Sequence, residues 1–324
     1  MSGLVSDYDF DLPPELIASR PLAERDASRM LVLHREEGRI EHRSFRDFPS
    51  YLKADDIVVL NDSRVIKARL FTEDRRIEIM LVESQTPTRW VALVKPGRKL
   101  RVGVSVAVAG TVATVVEVMP EGERVLEFDD IPDLETHGVM PIPPYFKRPA
   151  DEDDAVRYQT VFAGDPGSVA APTAGLHFTP ELLATLPHTF VTLHVGMGTF
   201  QPVKVEQLAE HRMHEERYTI SEKTATALNA AQRIVAVGTT ASRVLESQQA
   251  GPIRAGSGAT SIFIHPPYQF QHVGALLTNF HLPKSTLLML ISAMAGRELV
   301  MQAYAEAVKE RYRFFSYGDC MLIL

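Results

Sequence analysis

"RIVAVGTTASRVLES", Arg233 to Ser247, decides how the chain is read. Ile234 to Val237 form a short, β-branched apolar run of the kind that fills a strand buried on both faces. Gly238 then breaks the run, two threonines follow, and a helix is expected near Ser242 to Gln248. The same alternation continues on either side. "FVTLHVG", Phe190 to Gly196, is a second strand, and a helix is expected from Ser221 to about Gln232. From about Arg297 to Tyr312, Leu299, Val300, Ala303, Tyr304, Ala307 and Val308 recur at helical spacing. Strands alternating with helices indicate an α/β domain. "DIVVLND", Asp56 to Asp62, reads as a further buried strand of the same sheet.

Between Val65 and about Val118 the pattern changes. "RIEIMLVE", "RWVALVKPG" and "GVSVAVAGTVATVVEV" are short, β-branched and punctuated by Gly and Pro, and "RVLEFDD" extends them. They suggest a small antiparallel β-barrel. "MPIPPYFKRP", Met140 to Pro149, cannot be regular helix or central strand and reads as a linker. The expected organisation is therefore an α/β main domain, residues 1–64 plus 151–324, interrupted by an inserted β-barrel domain, residues 65–150.

Composition narrows the surroundings. Asp7, Asp9 and Asp11 stand where a secretory signal would be apolar, and the longest apolar run, "TLLMLISAMAG", is too short to span a bilayer. Cys320 is the single cysteine, so no intrachain disulfide can form, which points to a reducing cytoplasm. The net charge of −7 disfavours indiscriminate nucleic-acid binding, so a polyanion would need a local patch. One is visible: no acidic residue falls between Glu83 and Glu117, where "VKPGRKLR" supplies Lys95, Arg98, Lys99 and Arg101.

Several segments can carry chemistry. "GSVAAPTAGLHFTPELL", Gly167 to Leu183, sets bare backbone beside His177, which permits close approach of a ligand or of another chain segment. Gly238, Thr239 and Thr240 at a helix start, with Arg243 beyond, suit a carboxylate or phosphate. In "TLHVGMGTFQPV" a second strand ends at His194, Gly196, Gly198 and Thr199. Two such turns favour a shared crevice at the carboxyl edge of the sheet. "HRMHEERY" places His211 and His214 three apart with Glu215 and Glu216 adjacent. A metal pair, an imidazole–carboxylate acid/base pair and a solvated charged face all fit it, although no third metal ligand is spaced nearby. "TNFHLPKSTLLML" gathers Asn279, His281, Lys284, Ser285 and Thr286 before an apolar helix, with Pro283 at a position where a helix can begin. Asn61, Asp62 and Arg64 lie at a strand end, and Asp319 sits in a turn before an apolar tail expected to pack as a strand.

Taken together, these strings resemble the S-adenosylmethionine:tRNA ribosyltransferase-isomerase family of queuosine biosynthesis. The resemblance runs nearly end to end, through "YDFDLPPELIASRPLAERDASRMLVL", "DDIVVLNDSRVIKARL", "MPIPPY", "RYQTVFA", "GSVAAPTAGLHFT", "VTLHVGMGTFQPV", "HRMHEE", "VAVGTT", "TNFHLPKSTLLML" and "YRFFSYGD". It departs at Pro267, where the family has glycine, at Gly274, where aspartate is usual, and at several trimmed loops.

The resemblance implies transfer and isomerisation of the ribosyl part of S-adenosylmethionine onto 7-aminomethyl-7-deazaguanine at the wobble position of tRNA. The product is epoxyqueuosine-tRNA, and adenine and methionine are released. S-adenosylmethionine is then a consumed substrate, and neither cofactor nor metal is expected. The chemistry requires a base for the ribose carbon beside the sulfonium. His214 with Glu216 matches the family's HxMHxE pattern and is the first candidate; His177, His281 and Asp62 are rivals. His194, Gly196, Gly198, Thr199, Gly238, Thr239, Thr240, Arg243 and Asp319 are assigned to the donor, and Lys95, Arg98, Lys99 and Arg101 to tRNA. A monomer without membrane contact is expected. A metal-dependent hydrolase and a non-catalytic tRNA-binding protein are the rival readings.

Overall fold

The structure, a computed structural model, describes residues 3–196, 203 and 205–324. Along the chain the strands are β1 (Arg29–His34), β2 (Arg39–Ser44), β3 (Asp56–Asn61), β4 (Ser63–Val65), β5 (Arg69–Phe71), β6 (Glu78–Thr86), β7 (Arg89–Lys95), β8 (Ser105–Val108) and β9 (Thr111–Val118). There follow β10 (Arg124–Phe128), β11 (Asp165–Ser168), β12 (His188–Leu193), β13 (Glu216–Ile220), β14 (Arg233–Val237), β15 (Gly256–Thr260), β16 (Val273–Asn279) and β17 (Cys320–Ile323). The α-helices are α1 (Leu134–His137), α2 (Glu152–Arg157), α3 (Pro180–Ala184), α4 (Glu222–Ala230), α5 (Gly238–Glu246), α6 (Thr286–Ala295) and α7 (Arg297–Lys309).

A nine-stranded mixed sheet runs in the order β15-β13-β12-β3-β14-β16-β17-β1-β2. Its centre, β12-β3-β14-β16, is parallel throughout. Every residue of β3 is buried, and alternate residues feed opposite faces. Ile57 and Val59 join the core under α4 to α7, whereas Val58 and Leu60 join Phe45, Phe48 and Phe178 on the other face. Burial on both faces explains why β3 and β14 read as unbroken apolar runs. The tail forms β17, parallel to β1 and antiparallel to β16, as expected of an apolar C-terminal run.

Residues 69–128 form a second, six-stranded antiparallel sheet, β5-β6-β7-β10-β9-β8. It curls until Thr72, just past β5, bridges Val108 at the end of β8. Its own core includes Leu70, Ile79, Leu81, Ala92, Ala113 and Leu126.

Three local expectations need correction. Helix α5 begins at Gly238, four residues earlier than expected, because Gly238 adopts φ +85 and turns the chain within one residue. Helix α6 begins at Thr286, not Pro283, because the Ser285 hydroxyl accepts the Leu288 N–H at 3.2 Å and sets the cap there. The Pro-rich segment is irregular but is not a free linker. Met140, Ile142 and Phe146 are buried with Tyr158 and Tyr317, and the rings of Phe146 and Tyr317 stack at 4.9 Å. Proline removes the ladder hydrogen bonds without removing the apolar surface that drives packing.

No single helix among the described residues is long and apolar enough to cross a membrane. The most apolar one, α6, spends its length inside the core.

Candidate active site

The parallel strands β12, β14 and β16 end at one edge of the sheet, and a cleft opens there. Val195 follows β12, Gly238 to Thr240 follow β14, and Thr278 to Leu282 end β16; Ala170 to Ala174 form the facing wall. The cleft holds about 720 Å³ of space, open solvent at its mouth included. Of the two strand-end turns expected to share a crevice, the one after β14 lines this cleft, and the one after β12 contributes Val195 among the described residues. The small residues of "VAAPTA" let this wall approach the β14 turn closely: Ala174 stands 3.7 Å from where a Cβ on Gly238 would lie, an ordinary contact distance.

His281 is the one imidazole lining this cleft among the described residues. Its Nε2 hydrogen-bonds Thr278 Oγ1 at 2.9 Å, and its backbone N–H donates to the Tyr304 hydroxyl at 2.9 Å. Burial pushes its pKa down to about 3, so the ring is neutral at physiological pH. Around it stand Tyr145, whose hydroxyl meets Ser316 Oγ at 2.6 Å, and Tyr158, fully buried with its hydroxyl towards Ser316 and Ala171. Burial raises the pKa of both tyrosines, so both are protonated and can donate. Thr240 Oγ1 is buried without a partner among the described residues.

His177 is held behind the cleft instead of within it. Asn279 donates through Nδ2 to the carbonyls of Phe315 (2.9 Å) and Ser316 (3.2 Å), so its Oδ1 faces His177 Nε2 as an acceptor at 2.9 Å. Nε2 therefore carries the hydrogen, and Nδ1 accepts from Ser28 Oγ at 3.0 Å. Burial holds the ring's pKa at about 4. With both nitrogens engaged, His177 positions Asn279 and offers nothing to a substrate.

The "HRMHEERY" segment is not a helix: His211 to Glu215 are irregular, and β13 starts at Glu216. His214 is exposed, while Glu216 is buried and turned to a different partner. Its Oε2 pairs with Arg243 Nη1 and its Oε1 accepts the Gly196 N–H at 3.1 Å. The expected His214–Glu216 pair therefore has its carboxylate committed elsewhere. Arg243 is drawn away from the donor role for the same reason: it is buried against Glu216, tying α5 to β13. No group of three or more His, Cys, Asp or Glu among the described residues is arranged to hold a metal.

Asp319 also serves the fold. Its two oxygens accept the backbone N–H groups of Arg29 and Arg313, each at 2.8 Å, and so pin the turn that precedes β17. Asp62 and His194 lie along the same sheet edge but outside the cleft lining. Asp62 accepts the Thr192 hydroxyl at 2.6 Å, and burial first, then nearby Asp165, raises its pKa. His194 approaches Asp165 at 3.9 Å and packs over Gly167, where a Cβ would come within 2.7 Å of its Nδ1. Gly198 and Thr199 lie outside the described residues.

On the curled sheet, Lys95, Arg98, Lys99 and Arg101 are exposed, and none takes part in an ion pair among the described residues. Arg124 braces their turn, donating to the carbonyls of Gly97 (2.7 Å) and Leu100 (3.0 Å).

The sequence reading missed Tyr145, Tyr158, Phe315 and Ser316 as cleft residues. The available signal was weak, since each is an aromatic or small residue in an irregular segment that a packing role explains equally well.

Comparison with known proteins matches this geometry to a family. The family described as "Queuosine biosynthesis protein" fits residues 5–323. The S-adenosylmethionine:tRNA ribosyltransferase-isomerase of Symbiobacterium thermophilum is 50% identical over 343 aligned positions, covering 99% of both chains. That of Desulforamulus reducens is 48% identical over 341, again covering 99% of each. The crystal structure of S-adenosylmethionine tRNA ribosyltransferase from Thermotoga maritima is 41% identical, covers 98% of this chain and 100% of its own, and superposes with a TM-score of 0.57. With the cleft motifs inside that full-length match, this chain belongs to the queuosine biosynthesis protein family.

Proposed function

We propose that this chain is an S-adenosylmethionine:tRNA ribosyltransferase-isomerase. It transfers the ribosyl part of S-adenosylmethionine to 7-aminomethyl-7-deazaguanine at the tRNA wobble position, isomerises it to give epoxyqueuosine, and releases adenine and methionine. The observation that carries the reading is the relationship at 48–50% identity over 99% of the chain to enzymes bearing that name.

The reaction requires three things of the protein, and the cleft offers a candidate for each. A proton must leave the ribose carbon beside the sulfonium, whose positive charge stabilises the electron pair left on carbon. His281, the imidazole lining the cleft, is the group proposed to handle this proton, in place of the exposed His214, and its position carries the assignment. Burial makes the ring a weak base and its conjugate acid strong, which favours handing the proton on to the departing adenine over taking it from carbon. The acceptor amine must be neutral to attack, although a free alkyl amine is mostly protonated at pH 7. A largely apolar cleft lowers its pKa by desolvation. The donor must be oriented. The first turn of α5, at Gly238, Thr239 and Thr240, presents free N–H groups and hydroxyls suited to its carboxylate.

S-adenosylmethionine enters as a consumed substrate, with no cofactor and no metal in the scheme. Residues 65–150 are read as a unit inserted into an α/β body of 1–64 plus 151–324, with the basic turn of the curled sheet reaching the anticodon arm. A cytoplasmic monomer is the simplest setting. Incubating the purified protein with S-adenosylmethionine and precursor tRNA and following adenine by chromatography tests the reading. Tight tRNA binding without adenine release would make it a binding protein only.

A further inference from the structure

A second crevice lies directly behind the wall formed by His177. It is a shallow, open crevice lined by Pro21, Glu24, Arg25, Ser28, Arg157 and Tyr317, among others, with about 280 Å³ of space, most of it open to solvent. The layer between it and the main cleft is one side chain thick: Ser28, His177 and Asn279 are bonded in series, and Ser316 lines both cavities.

The charges around this crevice are unusual. Arg25 donates only to carbonyls, those of Leu176 (3.2 Å) and Val156 (3.1 Å). Arg157 does the same, to Ala23 (3.1 Å) and Leu22 (2.7 Å). Neither guanidinium is in an ion pair among the described residues, and the two are close enough that Arg157 helps to lower the pKa of Arg25, after burial. Arg157 Nε is buried with no partner, and so is Nη1 of Arg313, whose charge also reaches His177. The acidic groups nearby are already committed: Glu24 to Arg46, Asp154 to Arg148, and Asp319 to two backbone N–H groups. Half-buried cations whose carbonyl bonds fix their orientation, and which have no counter-ion among the described residues, suit an oxyanion.

We propose that the Arg25–Arg157 crevice binds a phosphodiester of the RNA chain next to the nucleotide whose base enters the main cleft. This rests on the tRNA-modifying reading above. A base placed in the cleft brings its own backbone to the rim, and only the Ser28–His177–Asn279 layer separates the two openings. The contact fixes register and carries no sequence information. It also gives a use to "RPLAERDASR", the N-terminal stretch that the chemistry of the cleft leaves unexplained.

The test uses the whole protein and an anticodon stem-loop RNA. Single phosphates flanking the wobble nucleotide are replaced one at a time by neutral methylphosphonates, and binding is measured against wild type, Arg25→Gln, Arg157→Gln and the charge-retaining Arg157→Lys. We expect one flanking linkage to weaken wild-type binding about tenfold. That penalty should vanish in the Gln variants and persist in Arg157→Lys, and each Gln variant should flatten the log–log salt slope by roughly 0.7–0.9. The RNA-side substitution needs no altered protein, so a variant that folds poorly does not remove the test. If no flanking linkage matters, or if its penalty is unchanged in both Gln variants, the proposal is overturned. A rise confined to the Michaelis constant for S-adenosylmethionine would also overturn it, by giving the crevice to the donor's carboxylate. Adenine release by the wild type, measured in parallel, separates failure of this proposal from failure of the enzymatic reading.

Discussion

The Nε2–H of His177 donates to Oδ1 of Asn279 at 2.9 Å, and burial, working against that bond, holds the imidazole in its neutral form. An acid-sensitive stability follows. Below about pH 6.5 an unfolded histidine takes up a proton, whereas the folded ring resists until about pH 4. Within that window the unfolded state binds more protons, so stability falls as the pH drops through it. The loss from this residue is roughly 3 kcal/mol. Urea midpoints at pH 7, 5 and 4 should decline steadily, and His177→Gln should be less stable at pH 7 but show a shallower decline. Parallel profiles for the two proteins would show that His177 does not carry the effect.

His281→Ala should cut single-turnover adenine release by roughly 10²–10⁴-fold, the range expected for loss of a proton-transfer group. His214→Ala should leave the rate within a few-fold of wild type, since the ring is exposed and lies outside the cleft lining. The opposite ranking would return the base to the "HRMHEE" segment.

Glu216→Gln should lower stability by roughly 3–5 kcal/mol, because it leaves the buried Arg243 guanidinium without its counter-charge. Replacing both residues by apolar ones should cost less than the sum of the single changes. Denaturant melts of the two single variants and the double one decide it; strictly additive losses would mean that the pair is not coupled.

Replacing Arg98 and Lys99 together by Ala should raise the Michaelis constant for tRNA and leave that for S-adenosylmethionine nearly unchanged. Both side chains are exposed and free of ion pairs among the described residues, so folding should be unaffected. The salt slope of tRNA binding should fall by roughly 0.7–0.9 for each phosphate contact removed. An unchanged slope would leave these residues as an ordinary solvated turn.

The strands that were legible in the sequence are those whose side chains alone specify them. β3, β14 and β17 are apolar and buried on both faces, β3 and β14 with β-branched runs, and the strands of the curled sheet alternate between Gly and Pro breaks. β15, "GSGAT", gave no such signal, since its place comes from five residues paired with β13 and not from its own side chains. In the site, Gly238 to Thr240 and Ala170 to Ala174 were readable because close approach selects small residues. The roles of Arg243, Glu216 and Asp319 were not, because a charged residue in a motif looks the same whether its partner is a ligand or a neighbouring strand. His177 illustrates the point: its two partners lie 149 and 102 residues away in the sequence.

The strand order of the large sheet has a kinetic consequence. β3, made of residues 56–61, lies between β12 at 188–193 and β14 at 233–237, so its ladders close only when more than half of the chain is present. The curled sheet instead pairs strands drawn entirely from residues 69–128. Short loops close at lower entropic cost and sooner. The curled sheet therefore assembles first, while β3 waits with both edges unpaired. During synthesis, that waiting strand is where a chaperone has most to protect.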